Sequence, residues 1–423
     1  MSHGDYDVLV IGAGLAGLRC AALLASSGRS VAVWESGDAV GGRVRTDVVD
    51  GFRCDRGFQV LNPAYPELRR AIDVPALRLH PFLAGVAIRD TDRARHWVHP
   101  LRAPRRLPGM LTGGGLRPRD VVALMRWAAP ALRPATLTEG RDDVSVADAL
   151  DRSGVDGLAR RVVDKFLAGV VLDDQGSTSN AFTLLLARMF ALGVPGLPAE
   201  GMQALPRLMS APIADRITLN HRVDRIVRDG RGWAVSAGGD TVRASHVVVA
   251  TDPQTAETLT GAPAPPMKGV VTDWWATEDT IPGSRLLWVD GRPTPPGPLV
   301  NTAIVSAVAP GYAPAGHHLI AASALIGGDG EAPPESVTRT HAADILRVTG
   351  AQGWSLVTRH VVPEALPVQP PPLRVRRPVR TPDGLWLCGD HRDTASIQGA
   401  LVSGRRVADA IDRCDRRSDT AHA

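Results

Sequence analysis

The chain is short of cysteine, of lysine and of long apolar runs. Cys20, Cys54, Cys388 and Cys414 lie far apart with no Cys-x-x-Cys pair in 423 residues, a pattern that offers no disulfide framework and fits reduced thiols in a cytoplasmic protein. No apolar stretch approaches the roughly 18 residues of a bilayer-spanning helix. No basic region precedes the first apolar run, so no signal peptide is expected. A formal net charge of +4 is too small to point to nucleic acid. Lys165 and Lys268 are the only lysines among 48 Lys and Arg residues, which reads as the codon bias of a GC-rich genome. Metal-ligand patterns are missing: His317 and His318 are neighbours that a strand would turn to opposite faces, and His96 and His99 sit beside a proline. No metal is expected.

Hydrophobic residues at 44% and charged residues at 22% are ordinary for a folded chain, and the length allows two or three domains. The first fifty residues carry the main signal. Asp5 to Ile11 is a short apolar strand, and Gly12-Ala13-Gly14-Leu15-Ala16-Gly17 follows at once. An Ala/Leu-rich helix runs from Leu18 to Ser27 and is ended by Gly28, and a β-branched strand ends at Trp34 before Glu35. This order suits a dinucleotide. Gly12 permits the sharp turn, Gly14 lets backbone approach a pyrophosphate, and Gly17 lets the helix pack on the sheet. Leu15 and Ala16 stand in the turn before the helix, whose N-terminus favours phosphate. Glu35 can accept from a ribose diol, and Ser36 stands beside it. The other glycine clusters, Gly113-Gly114-Gly115 and Gly327-Gly328-Asp329-Gly330, lack a preceding strand and a following helix, so no second dinucleotide site is expected.

Past Glu35 the stretch ESGDAVGGRVRT places Gly41, Gly42 and Arg43 in a second glycine turn. It resembles the flavin amine oxidase, phytoene desaturase and protoporphyrinogen oxidase superfamily, in which the glycine pair and the arginine reach the FAD pyrophosphate. The far end agrees: a strand ends in Gly389-Asp390, and Ser396-Ile397-Gln398-Gly399 opens a helix. The resemblance implies that Asp390 binds a ribityl hydroxyl and that the helix start at Ile397 and Gln398 faces the flavin, where its dipole stabilises the reduced ring. Ile217 to Val227 has strand character, with Val223 implied at the adenine, and Ser245 to Pro253 brings Ala250 near the phosphates. Gly57-Phe58-Gln59 resembles the segment at the flavin face. The resemblance covers about residues 5–60, 200–255 and 360–412.

It implies an α/β fold: a Rossmann-type, glutathione-reductase-like FAD-binding domain interleaved with an α+β substrate domain. FAD-binding parts are expected at 1–79, 200–264 and 361–423. Substrate parts are expected at 80–199, mainly helical, and at 265–360, strands plus a helix. Helical periodicity marks Asp120–Leu132, Val146–Leu150, Ala159–Leu167, Ala181–Leu192 and Glu335–Thr349, and apolar strands mark Gly269–Ala276, Leu286–Val289 and His318–Ile326. FAD is expected to be noncovalent, because no Cys or His stands in a recognisable linkage context.

The expected activity is removal of hydride from a substrate C–H to flavin N5. The leading substrate is a lipophilic or polycyclic small molecule, oxidised by desaturation or dehydrogenation. An amine oxidase that makes imine and hydrogen peroxide is the alternative, and a non-catalytic flavin-binding protein is a further one. Many amine oxidases of the superfamily use an aromatic wall where this chain has Ser396. The other wall should precede Gly-Asp, but 361–380 contains no aromatic residue. They also use a strand lysine, and Lys268 lies two residues out of register with it. Pro363-Glu364-Ala365-Leu366-Pro367 instead looks like a segment of desaturase- and protoporphyrinogen-oxidase-like members. Gln59 and Lys268 are the polar candidates beside the substrate. The electron acceptor (oxygen or another) and the oligomeric state stay open. Seven arginines interleave with apolar residues from Leu101 to Pro134, a pattern that suits either a solvated face or peripheral contact with an anionic membrane.

Overall fold

The strand Tyr6–Ile11 (β1) is apolar because it is covered on both faces. Val8 and Val10 enter one core, Leu9 and Ile11 the other, and all four are at most 4% exposed. This computed structural model describes residues 6–99, 102, 105, 113, 115–132, 142–230, 232–327 and 330–422, with side chains described to 417. After β1 come α1 (Leu15–Ser26) and β2 (Val31–Trp34), with Gly28 at φ +87° where the chain leaves the helix. A hairpin, β3 (Thr46–Val49) and β4 (Phe52–Asp55), follows, and further on a second one, β5 (Gly85–Arg89) and β6 (Ala94–Val98).

Among the described residues four helices come next: α2 (Pro118–Ala128), α3 (Val146–Ser153), α4 (Gly157–Val171) and α5 (Asn180–Leu192). Serine starts two of them. Ser145 Oγ accepts from Asp148 N at 3.1 Å and Ser179 Oγ from Phe182 N at 3.2 Å, each satisfying an otherwise orphaned helix N–H. The chain continues through β7 (Ile217–Thr218), β8 (Arg225–Asp229), β9 (Gly232–Ala237) and β10 (Asp240–Val249). Then come β11 (Met267–Thr277), β12 (Leu287–Asp290), β13 (Leu299–Ile304), β14 (His318–Leu325), α6 (Glu335–Leu346) and β15 (Ser355–Pro367). It closes with β16 (Trp386–Leu387) and α7 (Ile397–His422).

Two seven-stranded sheets result. The first has the order β8-β9-β10-β1-β2-β7, with β16 on β10. It is parallel from β10 through β1 and β2 to β7, and antiparallel at the β8-β9-β10 edge. Helix α1 lies on it and is crossed closely by α7. A Cβ at Gly404 would stand 2.2 Å from the Ala16 carbonyl oxygen, so only glycine lets the helices approach this far. The second sheet has the order β15-β11-β14-β13-β12-β5-β6. Helix α6 covers one side around Trp275, Trp288, Ile320, Ile345 and Trp354.

Several expectations are corrected. Ile217–Val227 is not one strand: residues 219–224 leave the ladder, and the Asn220 and His221 amides donate to the Gly37 and Glu35 carbonyls instead. Within the mainly helical stretch 80–199 there is also a hairpin, whose strand β5 pairs in parallel with β12 and adds it to the second sheet. Strand β15 crosses residues 360 and 361, because it stays paired with β11 as far as Pro367. Helix α2 gives way to a 3-10 turn at Ala129–Leu132, where Pro130 has no N–H to donate. Helix α6 stops at Leu346, with Arg347 left-handed at φ +58°. Part of the arginine-rich segment, including Leu101, Arg106, Leu107, Met110, Leu111 and Arg133, lies outside the described residues, as do Gly114, Gly328 and Asp329.

Candidate cofactor and substrate site

A cavity of about 1310 Å³ extends from the ends of β1 and β2 to helices α2, α4 and α5 and the second sheet. Its cofactor end is built from glycine. Gly12 has φ +102°, and a Cβ on it would stand 2.8 Å from the Ala250 carbonyl oxygen, so this glycine is required by the turn itself. Gly17 is required by packing, because its Cβ would fall 2.1 Å from the Gly12 oxygen. Gly14 differs. Its φ of −70° suits any residue, and a Cβ there would meet no protein atom within 4 Å. It faces the cavity with Gly42, which has φ +58° and on which a Cβ would stand 3.4 Å from Gly14 Cα. Nothing in the protein demands glycine at 14, whereas a pyrophosphate lying against the backbone does. That cradle is the fit expected for a dinucleotide.

The carboxylates at this end are already oriented. Glu35 Oε2 accepts from Ala13 N at 2.7 Å and Oε1 from Gly37 N at 2.7 Å, which holds the acid at the mouth of the first turn. Asp390, 4% exposed, pairs with Arg43 at 2.5 Å, and Arg43 also donates to the Ala365 carbonyl at 2.7 Å. The second glycine turn, the end of β15 and the Gly389-Asp390 corner are thereby joined. Ser396 Oγ accepts from Gly399 N at 3.0 Å and starts α7. His391, next to Asp390, is 3% exposed with both ring nitrogens buried and unpartnered, and burial pushes it down to about 4.

Of the expected residues, Gly12, Gly14, Leu15, Ala16, Glu35, Ser36, Gly42, Arg43, Gly57, Gln59, Val223, Ala250, Gly389, Asp390 and Ile397 line this cavity. Gly17, Gln398 and Lys268 are not among its lining residues. Gln398 uses Oε1 to accept from Glu67 N at 3.0 Å, so its amide holds the chain near the helix Pro66–Ala71. Lys268 Nζ lies 3.1 Å from Asp173 and 3.3 Å from Thr178 Oγ1, a structural ion pair. Two positions along β11, Val270 lines the cavity instead. Gln59 lines it too, but its Nε2 donates to the Arg43 and Arg56 carbonyls at 2.9 and 3.0 Å, tying the 57–59 turn to the glycine turn.

The opposite end is apolar. Helix α4 contributes Val162, Phe166 and Val170, four residues apart on one face, and α5 contributes Leu186 and Phe190. Phe166 and Phe190 meet edge-on with centroids 5.4 Å apart, and Phe58 and Phe82 at 6.1 Å. Val121, Leu124 and Met125 of α2 also line the cavity, and Val121, Val122 and Met125 are exposed to solvent as well. The i, i+4 recurrence on α4 and α5 was legible in the sequence. Asn301, Ser323 and Trp97 were not, because they come from strands without a local motif. Among the described lining residues the carboxylates are Glu35, Asp252 and Asp390, all at the nucleotide end. Among the described residues no helix is long and apolar enough to cross a membrane, and no cluster of metal-ligating side chains is found.

Comparison with known proteins places this geometry. A putrescine oxidase of Kocuria rosea is 28% identical over 285 residues, covering 59% of this chain and 57% of that protein. A carotenoid phi-ring synthase of Streptomyces griseus is 28% identical over 302 residues, covering 64% and 56%. The matched stretches thus span little more than half the length of these relatives. A solved oxidoreductase from Methanosarcina mazei superposes with a TM-score of 0.74 at 16% identity, covering 96% of this chain and 100% of that one, which shows the fold. The model of the flavin containing amine oxidoreductase family matches residues 15–412. By that match, which runs from the first glycine turn to the last helix, the chain belongs to the flavin-containing amine oxidoreductase family, a family of oxidoreductases, with FAD as its cofactor.

Proposed function

We propose that this protein oxidises a lipophilic, uncharged small molecule by desaturation or dehydrogenation rather than oxidising an amine. In this reading the first sheet, with α1 and α7, is a Rossmann-type FAD-binding unit, and the second sheet with α2 to α5 forms the substrate unit. Gly14, Gly42 and Arg43 hold the pyrophosphate, Glu35 the adenosine ribose, Val223 the adenine and Asp390 the ribityl chain. Bound there, FAD supplies the two-electron acceptor for a substrate C–H. The protein's part is to exclude water and orient the substrate against the 57–59 turn.

The observation that carries this choice is the lining of the substrate end. Phe58, Phe82, Trp97, Phe166 and Phe190 surround it, and no described carboxylate stands there to receive an ammonium group. Ser396 lines the cavity where the resemblance expects an aromatic wall, and on β11 it is Val270, not Lys268, that lines it. The relatives named above include both an amine oxidase and a carotenoid enzyme, so the lining and not the likeness decides. The exposed apolar residues of α2 at the cavity edge support entry from an apolar phase, including a membrane surface.

The test is to mix oxygen-free holoenzyme with organic-solvent and aqueous extracts of cells and follow bleaching of the oxidised flavin. The reading expects the reducing activity in the organic extract, with a product two hydrogens lighter. Reducing activity confined to the aqueous polyamine fraction would overturn it.

A further inference from the structure

Asn301 lies on β13, a strand buried along its whole length, and is itself 4% exposed. It lines the cavity, yet its Oδ1 is buried without a hydrogen-bond partner. A buried carbonyl left unpaired is unfavourable, so its persistence asks for a partner from outside the protein. A second observation concerns Gly169, inside helix α4. Glycine weakens a helix interior, but here a Cβ would stand 2.2 Å from Asn301 Nδ2. The glycine makes room for the amide. A third concerns Ser323, which is in register with Asn301 across β13 and β14, is 3% exposed and lines the cavity. Residues paired in this way share one face of the sheet. The Ser323 hydroxyl shares a 3.0 Å hydrogen bond with Thr272 Oγ1, which accepts from Phe58 N at 3.2 Å. The polar pair therefore adjoins the 57–59 turn, where we place the reacting part of the substrate.

We propose that Asn301, with Ser323 beside it, determines specificity by receiving a neutral hydroxyl group of the substrate. The inference rests on the lipophilic-substrate reading above. A hydroxyl supplies the donor that Oδ1 lacks and can in turn accept from the Asn301 amide or the Ser323 hydroxyl. A carboxylate would repel Oδ1, and an ammonium group would find no carboxylate among the described residues lining this end. The rest of the substrate lies against the phenylalanines.

The probes are decahydro-2-naphthol and its parent hydrocarbon decalin, titrated into FAD-loaded protein while the flavin difference spectrum is read. Wild type is expected to bind the alcohol about tenfold more tightly than the hydrocarbon, the worth of one buried hydrogen bond. Asn301→Leu should lose that preference and keep the hydrocarbon. Gly169→Ala, which leaves Asn301 in place in the sequence but pushes its amide aside, should reduce the preference as well. Equal binding of the two probes by wild type, or an unchanged preference in Asn301→Leu, overturns the inference while leaving the lipophilic reading in place. Failure of both probes to bind wild type sinks both. The wild-type comparison needs no variant, so a variant that misfolds does not protect the idea.

Discussion

Arg43 Nη2 stands 2.5 Å from Asp390 Oδ1, although the two residues are 347 positions apart in the chain. The contact brings the second glycine turn against the corner after the last short strand. It exists because β1, β10 and β16 run parallel and end together, as ligand-binding loops do at the carboxyl ends of such strands.

Asp390→Ala should therefore weaken FAD retention. A charged acceptor is lost and Arg43 is left without its carboxylate, worth roughly 1.5–3 kcal/mol, or about a tenfold to hundredfold rise in the FAD dissociation constant. Glu35→Ala should weaken it by a similar factor from the adenosine end. Equilibrium dialysis of FAD against each variant measures this, and occupancy equal to wild type would show that the contact is misassigned.

Gly14→Ala and Gly17→Ala should separate cofactor binding from folding. At Gly14 the added methyl meets no protein atom, so stability without flavin should change by less than about 0.5 kcal/mol while FAD affinity falls at least about tenfold. At Gly17 the methyl collides with the Gly12 carbonyl at 2.1 Å, and overpacking should cost roughly 1–3 kcal/mol with or without flavin. Urea denaturation of flavin-free protein gives the comparison. A Gly14→Ala variant as unstable as Gly17→Ala would remove the case for the phosphate cradle.

His391 should make the protein acid-sensitive. Burial lowers it from 6.5 to about 4, with neighbouring Asp390 opposing that shift. Between these values the unfolded chain binds a proton that the folded chain refuses, so stability is full above about 6.5 and is lost as pH falls towards 4. His391→Leu should flatten this part of the pH–stability curve, by up to about 3 kcal/mol at pH 4. A slope unchanged between wild type and variant would assign the acid sensitivity to other groups.

Lys268→Met should leave the rate of flavin reduction by substrate nearly unchanged. Its ammonium serves the buried Asp173, which keeps bonds from the Thr178 backbone, the Thr178 hydroxyl and Ser177 when the lysine is removed. Because those bonds remain, the loss expected in denaturant is that of one charged hydrogen bond, roughly 1.5–3 kcal/mol. A large loss of reduction rate at unchanged stability would restore the lysine to the chemistry.

The cofactor half of the site was legible because its chemistry is local in sequence. Gly12, Gly14 and Gly17 sit in one turn, and Glu35 ends the next strand, so spacing alone brings them together. Asp390 was legible through its resemblance to a family motif. The substrate half was not. Asn301 and Ser323 meet only because β13 and β14 pair antiparallel, and Trp97 arrives on a hairpin whose Arg- and His-containing strand, Ala94–Val98, has no clear apolar alternation. Gln398 and Lys268 were misplaced for a related reason. Each stands next to site residues in the chain, but its side chain turns to a distant partner, Glu67 or Asp173, that local pattern does not reveal.

The most direct measurement is anaerobic mixing of the FAD-loaded protein with putrescine, spermidine, benzylamine and cyclohexylamine while the oxidised flavin band is followed. Without an aromatic wall at Ser396 or a carboxylate among the described residues at the substrate end, these cations should not be aligned for hydride removal. The account predicts no bleaching over the time in which the organic-phase substrate reduces the flavin completely. Rapid bleaching by any of these amines would contradict it and make the protein an amine oxidase.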